Sequence, residues 1–222
     1  MQIAVSIEPY LVVEKIRLTQ YIENIIQISR KLAHEQQKVL IHFDCFQANP
    51  DVFQLVQKYT DQIDIDLHLM QESVSSVAGF RSVSFDIADW YKNLPVATSD
   101  DLLAANMNSV DEKRRGVVLD LGCEIRGNNH YEDLIRAARY IILMTVKCGK
   151  SGQTFQVSAL KLIPEIRRLN PNATIIVDGG VNDENILLLK EAGVDVAVVG
   201  NYAKKCYENG ELETGINRLL RD

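Results

Sequence analysis

Short apolar runs alternate with longer amphipathic segments along this chain, and this alternation constrains the fold more than any other feature. Eight runs have the length of strands, at residues 3–7, 39–43, 63–69, 81–85, 116–119, 140–146, 173–177 and 194–199. Helical spacing of apolar residues, in places for only a turn or two, predicts helices at 12–35, from 50 onward, and at 72–79, 102–107, 131–139, 157–169, 182–192 and 210–220. Runs that are nearly continuous in apolar residues are typical of parallel strands buried on both faces. The pattern therefore predicts an α/β chain folded as a (β/α)8 TIM barrel.

A doubly wound open sheet is the main alternative to the barrel, because it has the same alternation of strands and helices. No G-x-G-x-x-G motif follows the first predicted strand, which disfavours a dinucleotide-binding sheet. The sequence also contains no linker, low-complexity tract or helical repeat of fixed period. We expect residues 1–222 to form a single domain.

The charge and cysteine content exclude several classes of function. The net charge is −6 and there is no run of lysine or arginine, which argues against nucleic acid or an anionic membrane as a partner. No stretch approaches the roughly 18 apolar residues of a membrane span, and no signal peptide is visible. The four cysteines are widely spaced and form no C-x-x-C pair, as expected for reduced thiols in a cytoplasmic protein.

Polar and sulfur-containing side chains stand at the carboxyl ends of the predicted strands, where a barrel builds its working face. They are Ser6, His42, Asp44, His68, Met70, Met144 and Asp178. His42 and Asp44 are two residues apart, so both side chains point to the same side of a strand. A lone histidine here is more often a structural hydrogen-bonding group, and a lone aspartate is often a helix cap. Two histidines and two aspartates on three strand ends together favour a site that suits Zn, Fe or Mn.

Glycines form a second candidate site in the loops after the last three strands. Asp178 is followed by Gly179 and Gly180, and the last strand is followed by Gly200 and Asn201. The loop after the sixth strand contains Gly149 and Gly152 around Lys150-Ser151. Glycine lets backbone amides approach an anion, and the loops after strands seven and eight of such barrels commonly bind phosphate. Each glycine taken alone is equally consistent with an ordinary turn.

Several of these motifs resemble segments of the ribulose-phosphate 3-epimerases. The segments are DLHLM at residues 66–70, LMTV at 143–146, GQTF at 152–155 and VDGGV at 177–181. The His42-x-Asp44 pair and the VSI segment at residues 5–7 fit the same family in the same order. The resemblance is strongest over residues 142–200, and it implies a TIM barrel of the ribulose-phosphate-binding type.

The resemblance also implies roles for individual residues. It implies one divalent metal held by His42, Asp44, His68 and Asp178, with Asp44 and Asp178 as the acid–base pair. It places Ser6 near the reacting end of the substrate, with Met70 and Met144 along a planar intermediate. The remaining substrate-binding residues, mostly around the phosphate, are Gly149, Gly152, Gly179, Gly180, Gly200 and Asn201. The family tends to form homo-oligomers, so a homo-oligomer that binds a small sugar phosphate is expected.

The chain departs from the family pattern in its loops while it keeps the four expected ligands. Asp44 is followed by Cys45-Phe46-Gln47-Ala48 and a shortened segment, Asp86 replaces a histidine, Lys147-Cys148 replaces Asn-Pro, and Asn201 replaces serine. We therefore expect a metal-dependent 3-epimerase of ribulose 5-phosphate, xylulose 5-phosphate or a related pentulose or hexulose phosphate. The alternatives are a non-catalytic phosphosugar-binding homologue and a phosphate-binding isomerase that uses no metal.

Overall fold

Eight parallel strands form a closed barrel in which β8 pairs with β1. The computed structural model describes residues 1–11, 15–34, 37–45, 50–69, 79–86, 110–147 and 152–221. The strands are β1 Gln2–Ser6, β2 Val39–Cys45, β3 Ile65–Leu69, β4 Ser82–Asp86, β5 Arg115–Leu119, β6 Tyr140–Met144, β7 Thr174–Asp178 and β8 Val196–Val199. Each lies within about two residues of its predicted position, which is the usual uncertainty of an element boundary. The (β/α)8 prediction is confirmed, and closure between β1 and β8 excludes the open doubly wound sheet.

Helices follow the strands on the outside of the barrel. The described helices are α1 Lys15–Ala33, α2 Pro50–Gln57, α3 Asn129–Ala137, α4 Ile163–Leu169, α5 Ile186–Glu191, α6 Asn201–Glu208 and α7 Leu212–Leu220. The buried residues Leu18, Ile22, Ile25, Ile28 and Leu32 of α1 are three or four positions apart, which places them on one helix face. The helices predicted at 72–79 and 102–107 lie outside the described residues, except for Gly79. No helix in the described ranges has the length and apolar character needed to cross a bilayer.

The predicted helix at 157–169 has two parts. Val157–Leu162 forms a 3-10 helix and α4 begins at Ile163. Pro164 stands in the first turn of α4, where its missing N–H breaks no helical hydrogen bond. The sequence predicts only a turn after Gly200, whereas the structure has the additional helix α6 there.

Alternating side chains of the strands divide the core into two parts. One set points outward and packs against the helices. The other set points into the barrel and includes Ala4, Leu40, Val118, Ile142, Met144, Ile176, Val196 and Val198. The interior is thus filled with side chains, as expected for a barrel of eight strands.

A buried ion pair closes the amino-terminal end of the barrel. Arg81 donates from Nε to Asp66 Oδ1 over 2.7 Å and also from Nη2 to Asp66 Oδ2. Ser82 Oγ donates to Asp66 Oδ1 over 2.8 Å, and Gln2 Oε1 accepts from Arg81 Nη1 over 3.1 Å. Asp66 is fully buried, so its charge depends on these donors. The polar residues of the opposite end form the candidate site.

Candidate active site

Four predicted ligands converge at the carboxyl end of the barrel, although they come from three strands. His42 and Asp44 lie on β2, His68 on β3 and Asp178 at the end of β7. In the sheet, Asp44 is paired with His68. One ligand atom from each of the four side chains lies within 4.8 Å of all the others. The predicted convergence of these residues is therefore observed.

One carboxylate oxygen stands at the centre of this cluster. Asp44 Oδ1 lies 3.1 Å from His42 Nε2 and 3.0 Å from His68 Nδ1. Asp178 Oδ2 lies 3.8 Å from His42 Nε2. The two histidine side chains are fully buried, whereas 10% of the Asp44 side chain and 18% of the Asp178 side chain are exposed. The imidazoles thus form the floor of the site and the carboxylates face the opening.

The environment shifts the pKa values of the two carboxyl groups in opposite directions. Burial alone would raise the pKa of Asp44, but the charges and hydrogen bonds of His42 and His68 together hold it well below its usual range. Burial and the negative charge of Asp44 raise the pKa of Asp178 to about 6. Burial opposes the protonated form of His42, yet Asp44 and Asp178 raise the pKa of this histidine. Two carboxyl groups with pKa values pushed apart are the arrangement that acid–base chemistry requires.

The donor set fits a divalent transition metal. Two imidazole nitrogens and two carboxylate oxygens are ligands that Zn, Fe and Mn accept. With bonds of about 2.0–2.2 Å, two ligand atoms of one ion stand about 2.8–3.6 Å apart for bond angles between 90° and the tetrahedral 109°. The distances from Asp44 Oδ1 to the two histidines, 3.1 and 3.0 Å, match that separation. His42, Asp44, His68 and Asp178 could therefore share one ion.

Ser6 adjoins the cluster from β1, where it is paired with His42. Its hydroxyl donates to Asp44 Oδ2 over 3.3 Å and accepts from the Glu8 backbone N–H over 3.2 Å. Sequence reasoning missed Glu8, a half-buried residue in a 3-10 turn after β1. Burial, Asp44 and Asp178 raise the pKa of Glu8, which indicates a third carboxyl group near the pair. Glu8 follows the first predicted strand, which ends at residue 7, so the strand pattern gave no indication of its position.

The two predicted methionines have different outcomes. Met144 is buried inside the barrel and paired with Asp178, so it lies on the wall beside the carboxylate. Met70 lies outside the described residues, as does Gly149. Their predicted contacts with a substrate stay predictions.

The glycine loops after β6 and β7 pack directly on one another. Gly152, Gly179 and Gly180 have φ values of +77°, +116° and +68°, which favour glycine. A Cβ on Gly180 would lie 2.7 Å from the Phe155 nitrogen, so the loop after β6 covers this turn. A Cβ on Gly152 would lie 3.4 Å from Asn201 Nδ2, which brings the loops after β6 and β8 together. Most of the predicted phosphate-binding residues are thus gathered on one side of the opening.

Gly200 differs from the positive-φ turn expected of a phosphate-binding glycine. Its φ is −98°, a value open to other residues, and a Cβ there would lie 3.6 Å from the Ser6 Cβ. It precedes α6, which begins at Asn201. The amino terminus of a helix presents free N–H groups to an anion, which is a different means of binding phosphate from a positive-φ turn.

Two known proteins with similar sequences carry the name ribulose-phosphate 3-epimerase. Ribulose-phosphate 3-epimerase of Helicobacter pylori is 31% identical over 159 residues, which are 65% of this chain and 66% of that enzyme. The aligned part is thus slightly less than two thirds of that enzyme's length. Ribulose-phosphate 3-epimerase of Bacillus subtilis is 30% identical over 161 residues, 68% of this chain and 70% of that enzyme.

A solved structure of 3-hexulose-6-phosphate synthase from Salmonella typhimurium has a similar fold. Its TM-score is 0.60 at 11% identity, over 99% of this chain and 96% of that one. At this identity the likeness supports the barrel alone. The sequence model of the ribulose-phosphate 3 epimerase family matches residues 11–203, and the chain therefore belongs to that family, as its motifs predicted.

Proposed function

We propose that this protein is a metal-dependent isomerase that inverts C3 of a phosphorylated ketose. The substrate would be ribulose 5-phosphate, xylulose 5-phosphate or a related pentulose or hexulose phosphate. One observation carries the proposal: Asp44 and Asp178 meet at one opening with their pKa values shifted in opposite directions. The names of the relatives support the same reaction.

Inversion of a carbon next to a ketone needs two proton transfers on opposite faces of the substrate. One carboxylate removes the C3 proton and leaves an enediolate, and the other carboxyl group returns a proton to the opposite face. Asp178 suits this exchange because its carboxylate faces the opening, where 18% of its side chain is exposed. Asp44 is oriented for the opposite transfer by the hydroxyl of Ser6 on its Oδ2.

One divalent metal, Zn, Fe or Mn, would be held by His42, Asp44, His68 and Asp178. When bound, such an ion supplies positive charge that stabilises an enediolate. Burial of both imidazoles keeps water from competing for their nitrogens. Among the described residues, the site is thereby closed on the side of the barrel interior, where the two imidazoles lie.

The phosphate group of the substrate would lie against the loops after β6, β7 and β8. Gly152, Gly179 and Gly180 would offer backbone amides, and Gly200 with Asn201 would offer the first N–H groups of α6. Met144 would pack along the planar intermediate from the barrel wall. Residues Met70 and Gly149 keep the roles that the resemblance implies, as proposals.

Exchange of the C3 hydrogen with deuterated solvent tests the proposal directly. The metal-loaded protein is incubated with a panel of pentulose and hexulose phosphates, and deuterium at C3 is measured with and without a chelator. We expect exchange with at least one substrate and its loss when the metal is removed. Absence of exchange across the panel would contradict the proposal.

A non-catalytic phosphosugar-binding homologue is the alternative. The shortened segment after Asp44 and the short stretch between Met70 and Phe85 favour it. Binding of a ketose phosphate without exchange, in protein shown to contain metal, would support that alternative. Exchange that persists in metal-free protein would instead support an isomerase that uses no metal.

Residues 1–222 are proposed to form one domain. The pairing of β1 with β8 and the packing of α7 on β1 support this, because they join the two ends of the chain. The homo-oligomer and the cytoplasmic location stay predictions of the sequence.

A further inference from the structure

The hydroxyl of Thr145 is fully buried and directed at the backbone that carries Asp178. We infer that Thr145 is a positioning residue that holds the Asp178–Gly179 turn, and with it the Asp178 carboxylate, in place beside the two histidines. The inference rests on the proposed function in one respect, namely that Asp178 is a metal ligand.

Three hydrogen-bonding contacts join Thr145 to this turn. Its backbone N–H donates to the Asp178 carbonyl over 2.7 Å. Its Oγ1 lies 2.6 Å from the Gly179 carbonyl oxygen and 2.9 Å from the Asp178 carbonyl oxygen. A hydroxyl has a single hydrogen, so the two carbonyls share it in a three-centre bond. Both peptide planes that flank Gly179 are therefore fixed by one side chain.

The turn needs this hydroxyl because strands β6 and β7 part there. Met144 and Asp178 are the last paired residues, and Gly179 then takes φ +116° and leaves the sheet. The Asp178 carbonyl also accepts from the Thr145 backbone N–H, so the threonine hydroxyl is the donor that reaches the partly buried Gly179 carbonyl. A Cβ on Gly179 would lie 2.5 Å from Val146 Cγ2, so this side of the turn has no room for a side chain and packs closely on the residue after Thr145.

Thr145 also connects the carboxylate to the proposed phosphate site. Its carbonyl accepts from the Gln156 N–H over 2.8 Å, in the segment that covers the Gly180 turn. Thr145 contacts the turn rather than any ligand atom of the cluster, so it acts through Asp178. Groups that orient a metal ligand in this way typically change metal affinity by about 10- to 100-fold when they are removed.

Zn²⁺ binding to chelator-treated protein tests the inference without relying on turnover. Thr145→Val keeps the shape of the side chain and removes the hydroxyl, whereas Thr145→Ser keeps the hydroxyl and removes the methyl group. We expect Thr145→Val to bind Zn²⁺ about 10- to 100-fold more weakly. Thr145→Ser should bind it like the wild-type protein. In the same samples, kcat for C3 exchange should fall with Thr145→Val and recover with Thr145→Ser.

Thr60→Val is the matched control. The Thr60 hydroxyl also donates to a backbone carbonyl, that of Gln57 over 2.9 Å, but it lies before β3 at the other end of the barrel. This variant should bind Zn²⁺ like the wild-type protein. If Thr145→Val does not fold, Thr145→Ala compared with Thr145→Ser isolates the same hydroxyl.

Two results would contradict the role of Thr145 and leave the proposed function standing. The first is wild-type Zn²⁺ affinity in the variants that lack the hydroxyl. The second is equal weakening in Thr145→Ser, which would assign the effect to packing of the methyl group. A wild-type protein that binds no metal would contradict the proposed metal site, and the role of Thr145 with it. A wild-type protein that binds Zn²⁺ but shows no exchange would contradict the proposed reaction, while the Zn²⁺ affinities of the variants would still decide the role of Thr145.

Discussion

Asp44 on β2 is the sheet partner of His68 on β3, and Asp44 Oδ1 lies 3.0 Å from His68 Nδ1. The same oxygen lies 3.1 Å from His42 Nε2. All three side chains project inward from strands whose positions are fixed by backbone hydrogen bonds. A site built on neighbouring strands holds its geometry more accurately than one built on loops. Changes to single ligands should therefore alter metal binding without unfolding the barrel.

Replacement of His68 tests this directly. His68→Ala removes one imidazole ligand. Loss of a residue that only hydrogen-bonds to a ligand typically lowers metal affinity by roughly 10- to 100-fold, and we expect Zn²⁺ affinity to fall by more than that. Affinity and metal content are measured by competition with a chelator and by elemental analysis. His34→Ala is the control, because His34 is exposed after α1. Tight stoichiometric binding by His68→Ala would remove His68 from the site.

Replacement of the carboxylates tests the proposed proton transfers. Asp178→Asn and Asp44→Asn remove the groups that would carry the proton, and each should lower the C3 exchange rate by about 10²- to 10⁴-fold. Metal content is measured in the same samples, so that loss of proton transfer is separated from loss of metal. The exposed Asp61→Asn should leave the rate unchanged. Exchange at the wild-type rate in Asp178→Asn would exclude this residue as acid or base.

Metal affinity should depend on pH through Asp178. Burial and Asp44 raise its pKa from 3.8 to about 6, so protons compete with the metal below that pH. Zn²⁺ affinity should therefore fall as the pH drops from 7 to 5, by up to about tenfold per pH unit for each proton displaced. The raised pKa of His42 acts in the same direction. The measurement is chelator competition across this range, and Asp178→Asn should give a shallower slope. Equal slopes would show that Asp178 does not bind the metal.

The raised pKa of Asp178 also makes the stability of the metal-free protein depend on pH. A carboxyl group whose pKa is raised on folding contributes stability below its unfolded value, 3.8, and loses it as the pH rises through about 6. Metal-free Asp178→Asn should therefore gain stability relative to the wild-type protein as the pH rises from 4 to 7.

The sequence was sufficient for the parts of the site that depend on strand alternation. His42 and Asp44 were placed together by their spacing of two, and Asp178 was placed beside them by the barrel topology alone. The sequence was insufficient for the parts of the site whose positions depend on the backbone path of a turn. The bond from Thr145 to Gly179, the negative φ of Gly200 and the position of Glu8 follow from backbone angles that no residue pattern specifies.

Gly180 and Gly193 both have a positive φ, but only Gly180 is also surrounded closely by other atoms. Gly180→Ala would place a Cβ 2.7 Å from the Phe155 nitrogen, whereas Gly193, at φ +78°, has no atom of the described structure within 4 Å of such a Cβ. Gly193→Ala should cost about 1 kcal/mol in the free energy of unfolding, and Gly180→Ala about 1–3 kcal/mol more, since the loop after β6 must move. Denaturant unfolding measures both. Gly180→Ala should also raise KM for the sugar phosphate, and an unchanged KM would remove this turn from the phosphate site.

The ion pair at the amino-terminal end should affect stability and leave the site intact. Arg81→Met leaves Asp66 buried without its charged partner, so the free energy of unfolding should fall by about 3–5 kcal/mol. Lys31 pairs with Glu213 on the surface, and Lys31→Met should change stability by no more than about 1 kcal/mol. Urea unfolding measures the difference, with Zn²⁺ affinity of the folded variants as the second reading. Because Asp66 is two residues from His68 on the same strand, a large loss of Zn²⁺ affinity in Arg81→Met would show that the two ends of the barrel are coupled, contrary to this expectation.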